Sequence, residues 1–328
     1  MRVCGFTILR DGVRFGYPFV ESIKSVLPLV DRFVIQVGDC SDNSLEVLQS
    51  IGDPKIEIEI TPWDPAMRKA GEVLAYQTNL AFDRCDGDWC FYIQADEVIH
   101  ESDYPAIRKA METNWNKPWV EGLRFRYLHF RGDYSIRDPL GYRRQIRIVR
   151  NDRQIRSVGD ACGFGKNGRR LNSAMINARV FHYGYVRPPK AMAEKSAQFE
   201  QFYVFDKKGK QVTKIKDRPL EEVGEYIYDM QSCIPYRGTH PAVMHERIAA
   251  KDWETPDFKP VPLWRNKFWW HGRLKKAFPQ LFNPRRPRVE QPKAEPQPEP
   301  EPETNPIAGK IAPPVKSTTT KSSQAKAA

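Results

Sequence analysis

Apolar and polar positions along the first hundred residues follow two periods in turn. "RVCGFTIL" and "RFVIQVG" are apolar runs of strand length, "KIEIEIT" alternates with period two, and "WCFYIQ" is a nearly unbroken apolar run. Between them, "YPFVESIKSVLPLV", "LEVLQSI" and "GEVLAYQTNLAFDRC" carry apolar residues at helical spacing. Ser44 can cap the second of these, and Asp86 and Gly87 make a turn after the third. This β-α-β-α-β-α-β series predicts a parallel sheet with helices on both faces. A strand as apolar as "WCFYI" belongs near the middle of that sheet, covered on both sides. Ligands of open α/β sheets bind beyond the carboxyl ends of the strands, which is where Asp96 and Glu97 emerge.

The second half changes character. "GLRFRYLHF", "YRRQIRIVR" and "ARVFHYGYV" read as strands with Gly-rich connections, extending the sheet and walling an acceptor side, while "KAMAEKSAQFEQFYVFD" reads as helix. His100, Glu101 and Asp103 start a helix around Tyr104. From Trp264, "WRNKFWWHGRLKKAFPQLF" sets aromatics among cations, which suits either a shallow anchor in an anionic membrane surface or a terminal helix docked on the domain. From about Asn283 the chain is rich in Pro, Glu, Lys and Thr with almost no apolar clustering, and predicts a disordered tail. The expected organisation is a nucleotide-binding half over 1–100, an acceptor and catalytic half of the same domain over 101–263, the basic aromatic segment 264–282, and the tail 283–328.

Composition narrows the function classes. The formal charge of +11 (52 minus 41) suits anionic partners: nucleic acid, an acidic lipid surface or a phosphorylated substrate. The basic residues are spread over the chain and no nucleic-acid signature is present, so a nucleic-acid-binding module is the rival reading and no nucleic-acid partner is expected. The six cysteines form no C-x-x-C pair and predict reduced thiols. The chain has no apolar run of about 18 residues, and its opening lacks a signal-peptide pattern. The expectation is a cytoplasmic protein, peripheral on the inner face of the membrane if the basic segment anchors it.

The chemistry centres on "QADE", Gln94 to Glu97. A carboxylate leaving a buried strand at the ligand edge can hold a divalent ion that also grips a diphosphate, since hard oxygens suit Mg²⁺ or Mn²⁺. The alternative is a solvated strand end with a capping acid. Arg10 and Asp11, at the tip of the first strand, sit at the same edge as either ligands or surface charges. Arg143 or Arg144 and Arg147 lie on a basic strand that lines the site or forms a solvated face.

The order of these motifs resembles the family 2 glycosyltransferases of the GT-A fold: strand, "GDCSDNS", strand, a helix carrying Asn79, then "GDWCFYIQADE". Asp39, Ser41, Asp42 and Ser44 match most of that family's D-D-G-S-x-D-x-T stretch, and "QADE" stands at its D-x-D element. The resemblance spans roughly residues 2–204. It implies a non-processive, inverting transferase using a nucleotide-diphosphate sugar, a Mn²⁺ or Mg²⁺ ion, and a saccharide or glycolipid acceptor. Asp96 and His182 would be the metal ligands and Asp160 the catalytic base, while Arg10, Asp11, Asp39, Asn79, Gln94 and Arg187 would contact the donor. On their own residues Asp160 also reads as a turn acid, His182 as a core histidine, and Asp42 as a helix cap. The chain departs from the pattern where Gln94 replaces the first acid of D-x-D and Thr78 stands at the usual Arg. A metal-dependent nucleotidyl- or phosphotransferase on a similar sheet shares the acid but not the order.

Overall fold

Seven elements follow one another as the periodicity predicts: β1 (Val3–Leu9), α1 (Phe19–Val26), β2 (Arg32–Val37), α2 (Ser44–Gln49), β3 (Ile56–Ile60), α3 (Glu72–Asp83) and β4 (Trp89–Tyr92). After them come β5 (Glu97–Ile99), α4 (Tyr104–Trp115), β6 (Gly122–Arg131), β7 (Asp133–Asp138) and β8 (Arg144–Arg150). The series closes with β9 (Ile155–Val158), β10 (Gly163–Lys166), β11 (Arg169–Arg170), β12 (Ser173–Tyr185), α5 (Pro189–Gln201), β13 (Ile234–Pro235) and α6 (His245–Ala249). This computed structural model describes residues 1–212 and 219–255 together with Phe258, Trp270 and Leu274. The tail 283–328 and the basic aromatic segment, those two positions excepted, lie outside the described residues. No described helix is long and apolar enough to cross a membrane.

The fold is mixed α/β, built on a ten-stranded sheet in the order β13-β7-β6-β8-β4-β1-β2-β3, with β12 beside β6 and β5 beside β12. β3, β2, β1 and β4 run parallel, as the alternating series requires. β8 enters antiparallel to both β4 and β6, and β12 runs parallel to β6. Two antiparallel steps restore the direction, so β6 and β12 end at the same edge as β1 and β4. β4 holds the middle of the sheet: Trp89 and Phe91 face a layer with α1, α2 and α4, while Cys90 and Tyr92 face α3. All four are fully buried, which is why this strand shows no alternation in its sequence.

A smaller antiparallel sheet, β9-β10-β11, covers the α3 side. Phe164 seats it, its ring 5.5 Å from Tyr92 and 6.2 Å from Phe6. Sequence reading missed these short strands because Gly163, Gly165 and Gly168 interrupt every periodic pattern there. Two smaller expectations are corrected. Ser44 does not cap α2; its hydroxyl accepts a hydrogen bond from the Val13 amide at 3.0 Å and ties the first loop to the second. Arg147 belongs to no solvated face; it is fully buried.

Arg147 is buried because Glu97 is. Its Nε and Nη2 each donate to a Glu97 carboxylate oxygen at 2.7 Å, both side chains being 0% exposed. The Tyr127 hydroxyl and the Gln94 amide also donate to that carboxylate, at 2.8 and 3.2 Å. A buried ion pair repays its desolvation only when its remaining donors and acceptors are satisfied, and these are. Arg147→Met therefore leaves a buried carboxylate unpaired, with an expected loss of about 3–5 kcal/mol of unfolding free energy in urea melts; Arg147→Met combined with Glu97→Gln should recover much of it.

Candidate active site

At the carboxyl edge, the ends of β1 and β4, the loop before β10 and one face of α5 enclose a cavity of about 330 Å³. Five of the residues expected at a ligand site line it: Arg10, Gln94, Asp96, Asp160 and His182. Its other walls are largely aromatic, with Trp63, Tyr142, Phe199, Phe202 and Tyr203 among them, and Lys195 reaches in from α5.

Asp96 sits in the turn between β4 and β5 and is 8% exposed. Lys195 Nζ lies 3.3 Å from its Oδ2 and Arg187 Nη2 3.8 Å from the same oxygen, while His182 Nε2 faces Oδ1 at 3.7 Å. Burial alone would raise the Asp96 carboxyl, but Lys195, His182 and Arg187 outweigh it and hold the group well below the usual carboxylate range. Burial and the neighbouring Arg187 push Lys195 down to about 8, against the pull of Asp96.

His182 is one of two histidines delivered side by side. β6 and β12 are parallel neighbours in register His182↔His129, and the two Nδ1 atoms lie 3.0 Å apart. His129 Nε2 is 2.7 Å from the Tyr142 carbonyl. A carbonyl only accepts, so that nitrogen carries the proton, and in neutral His129 the Nδ1 is then an acceptor. His182 must donate from its own Nδ1, which leaves its Nε2 with a bare lone pair toward Asp96. Burial favours the neutral form of both rings, lowering His129 and pushing His182 down to about 4. Each ring also lies against a glycine. A Cβ at Gly141 would stand 2.4 Å from His129 Cδ2, and one at Gly184 would stand 2.4 Å from His182 Cε1 and 2.8 Å from its Nε2.

Gln94 faces the cavity floor. Its Oε1 accepts from Arg147 Nη2 at 3.3 Å and its Nε2 donates to the Ala161 carbonyl at 3.4 Å. With the Arg147 charge already matched by Glu97, a neutral side chain that both accepts and donates suits this position, and a second carboxylate would face the Ala161 carbonyl without a proton to offer it. Asp160 occupies a tight turn whose flanking residues, Gly159 and Ala161, both have positive φ (63° and 59°). Its carboxylate accepts from the Cys162 amide at 3.3 Å and neighbours the Tyr203 hydroxyl, whose acidity is weakened first by burial and then by Asp160.

The other expected donor contacts do not line this cavity. Asn79 gives both ends of its amide to Ser157, donating to its carbonyl at 3.2 Å and accepting from its amide at 2.9 Å, so it fastens β9 to α3. Arg187 is buried behind Asp96, donating to the Phe15 and Gly184 carbonyls at 2.7 and 2.9 Å. Asp39 accepts from Arg10 Nη2 at 3.3 Å and from the Trp63 amide at 3.2 Å. Asp11, at φ 50°, accepts from the Ser41 hydroxyl at 2.9 Å. Asp11, Cys40 and Asp42 bring ligand atoms within 4.8 Å of one another. Asp42 already accepts from the Arg14 and Ser44 amides at 2.7 and 3.0 Å, which makes the trio a brace between two loops. All six cysteines are free.

No protein-family model matches the chain, and no curated protein matches it. Among solved structures it is similar to S. aureus TarS 1-349, at 12% identity and a TM-score of 0.35, over 60% of this chain and 64% of that one. The same protein in complex with UDP-GlcNAc matches at 12% identity and a TM-score of 0.35, over 60% and 65%. Glucosyl-3-phosphoglycerate synthase from Mycobacterium tuberculosis, in complex with Mn²⁺, UDP and phosphoglyceric acid, is similar at 14% identity and a TM-score of 0.28, over 38% and 43%. The chain thus spans less than two thirds of the length of each of these proteins.

Proposed function

We propose that this chain is an inverting glycosyltransferase, moving a sugar from a nucleotide-diphosphate donor to a hydroxyl of a saccharide or glycolipid acceptor in cell-surface glycan synthesis. The observation that carries the reading is the triad at the carboxyl edge of the sheet: Asp96, the bare Nε2 of His182 and the Lys195 ammonium, meeting in one aromatic-walled cavity. The donor set suits Mn²⁺ or Mg²⁺. Lys195 takes Asp96 Oδ2, Oδ1 is left for a cation, and the hydrogen-bond direction from Tyr142 through His129 leaves an imidazole lone pair 3.7 Å away.

Asp96 and His182 would hold the ion, which would supply positive charge to the donor's diphosphate. The aromatic walls would enclose the nucleoside and exclude water. Asp160, which also lines the cavity, would accept the proton of the acceptor hydroxyl as its oxygen bonds to the anomeric carbon. The bond from that carbon to the diphosphate oxygen breaks in the same step, its electron pair leaving with the diphosphate, and Lys195 would stabilise that charge. A single displacement from the opposite face inverts the centre.

Calorimetry across UDP, GDP and dTDP sugars should show donor binding that tightens with Mn²⁺ or Mg²⁺, an enhancement that Asp96→Ala removes; absence of binding to every donor sinks the proposal. Asp160→Asn should keep donor affinity while turnover falls by roughly 10²–10⁴-fold, and unchanged turnover excludes it as the base. Nitrogen-15 NMR of the metal-free protein should find His182 protonated at Nδ1 and His129 at Nε2. His129→Phe should release His182 into a tautomer mixture and weaken Mn²⁺ binding roughly 10–100-fold, with His129→Gln, whose amide oxygen accepts, restoring part of it.

A further inference from the structure

Three arginines stand in one row across three neighbouring strands. Arg144 of β8 is opposite Arg126 of β6, and Arg126 is opposite Arg179 of β12. Register partners on adjacent strands point to the same face, about 5 Å apart. Arg124, two positions back along β6, shares that face and is opposite Met175. The other face of β6 is core, filled by Leu123, Phe125 and Tyr127.

Like charges held directly opposite each other cost a sheet stability. Arg179 is partly relieved by Asp103, 3.5 Å away. Arg126 and Arg144 are exposed, and among the described residues no carboxylate pairs with either. A solvated lysine fringe would carry less of this cost, since its flexible stems splay apart, whereas planar guanidinium forks in register match phosphate oxygens. Met175, 40% exposed on the same face, distinguishes between anionic partners. A thioether side chain gains by entering the apolar boundary beneath lipid headgroups, and a hydrated soluble polyanion offers it nothing. The formal charge of +11 draws the chain the same way.

We propose that the face formed by Arg144, Arg126, Arg179 and Met175 docks on the anionic phospholipid surface of a membrane. This is a different element from the segment 264–282 and is independent of the transfer reaction. Arg126 lies three positions before His129 on the strand that ends at the cavity edge (129 minus 126), so docking would hold that edge near the bilayer.

The test is co-sedimentation of the full chain with phosphatidylcholine vesicles, with and without phosphatidylglycerol. Binding should require phosphatidylglycerol and fall as salt rises. Arg126→Gln with Arg144→Gln should lower the partition coefficient roughly 25-fold, about fivefold per cation. Lys207→Gln with Lys208→Gln, which removes the same charge from another exposed site, should leave it near the parent value. Unchanged binding of the arginine pair variant, or equal losses in both pairs, overturns the proposal. So does capture of soluble polyphosphate by a chain that ignores vesicles. The arginine pair variant should melt at or slightly above the parent temperature; a clear fall would show that the row serves the fold instead.

Discussion

The ion pair between Glu97 and Arg147 is the constraint on which the site rests. Two full charges buried at 0% exposure are stable only if every oxygen and N–H around them is matched, and meeting that condition fixes much of the cavity floor. Arg147 reaches the Cys162 carbonyl at 3.0 Å and Gln94 at 3.3 Å, so the turn bearing Asp160 and the strand end bearing Asp96 are both tied to it. The two adjacent acids of "QADE" thus have opposite fates. Glu97, the first residue of β5, turns inward to bind Arg147, while Asp96, in the turn before it, faces the cavity.

The second constraint is direction. A parallel pairing brings the ends of β6 and β12 to one edge, and the Tyr142 carbonyl polarises the histidine pair placed there. The lone pair at His182 Nε2 follows from a backbone carbonyl two contacts away. Gly141 and Gly184 are required by the same arrangement, because any Cβ at either position would collide with a ring.

How much of this was legible in the sequence depended on whether the signal was local. The first seven elements follow from periodicity, and Asp96 follows from the rule that open sheets bind ligands at strand ends. His182 was visible as a polar residue closing an apolar strand. Lys195 was not, because a lysine in "KAMAEKSAQ" looks like any solvent-facing helix residue until α5 is laid over the sheet edge. His129 was hidden for a related reason: only the register of two strands distant in sequence reveals its partner. Arg147 is indistinguishable in sequence from the other arginines of its strand, since nothing local marks which arginine a buried glutamate will claim. Asn79 sits where the motif order expects it, yet its side chain meets Ser157, a contact that depends on the small sheet the glycines concealed.

The separation of these partners along the chain has a kinetic consequence. The histidine pair spans 53 positions and the Lys195–Asp96 pair 99. Closing such loops carries an entropic cost that only the finished sheet repays, as does the β1–β4 pairing of Val3 with Trp89, whereas β1, β2 and β3 pair with nearer neighbours. The cavity is therefore among the last features to form as the chain folds, and a protein with native helix content but an incomplete β6–β12 pairing would have no site at all.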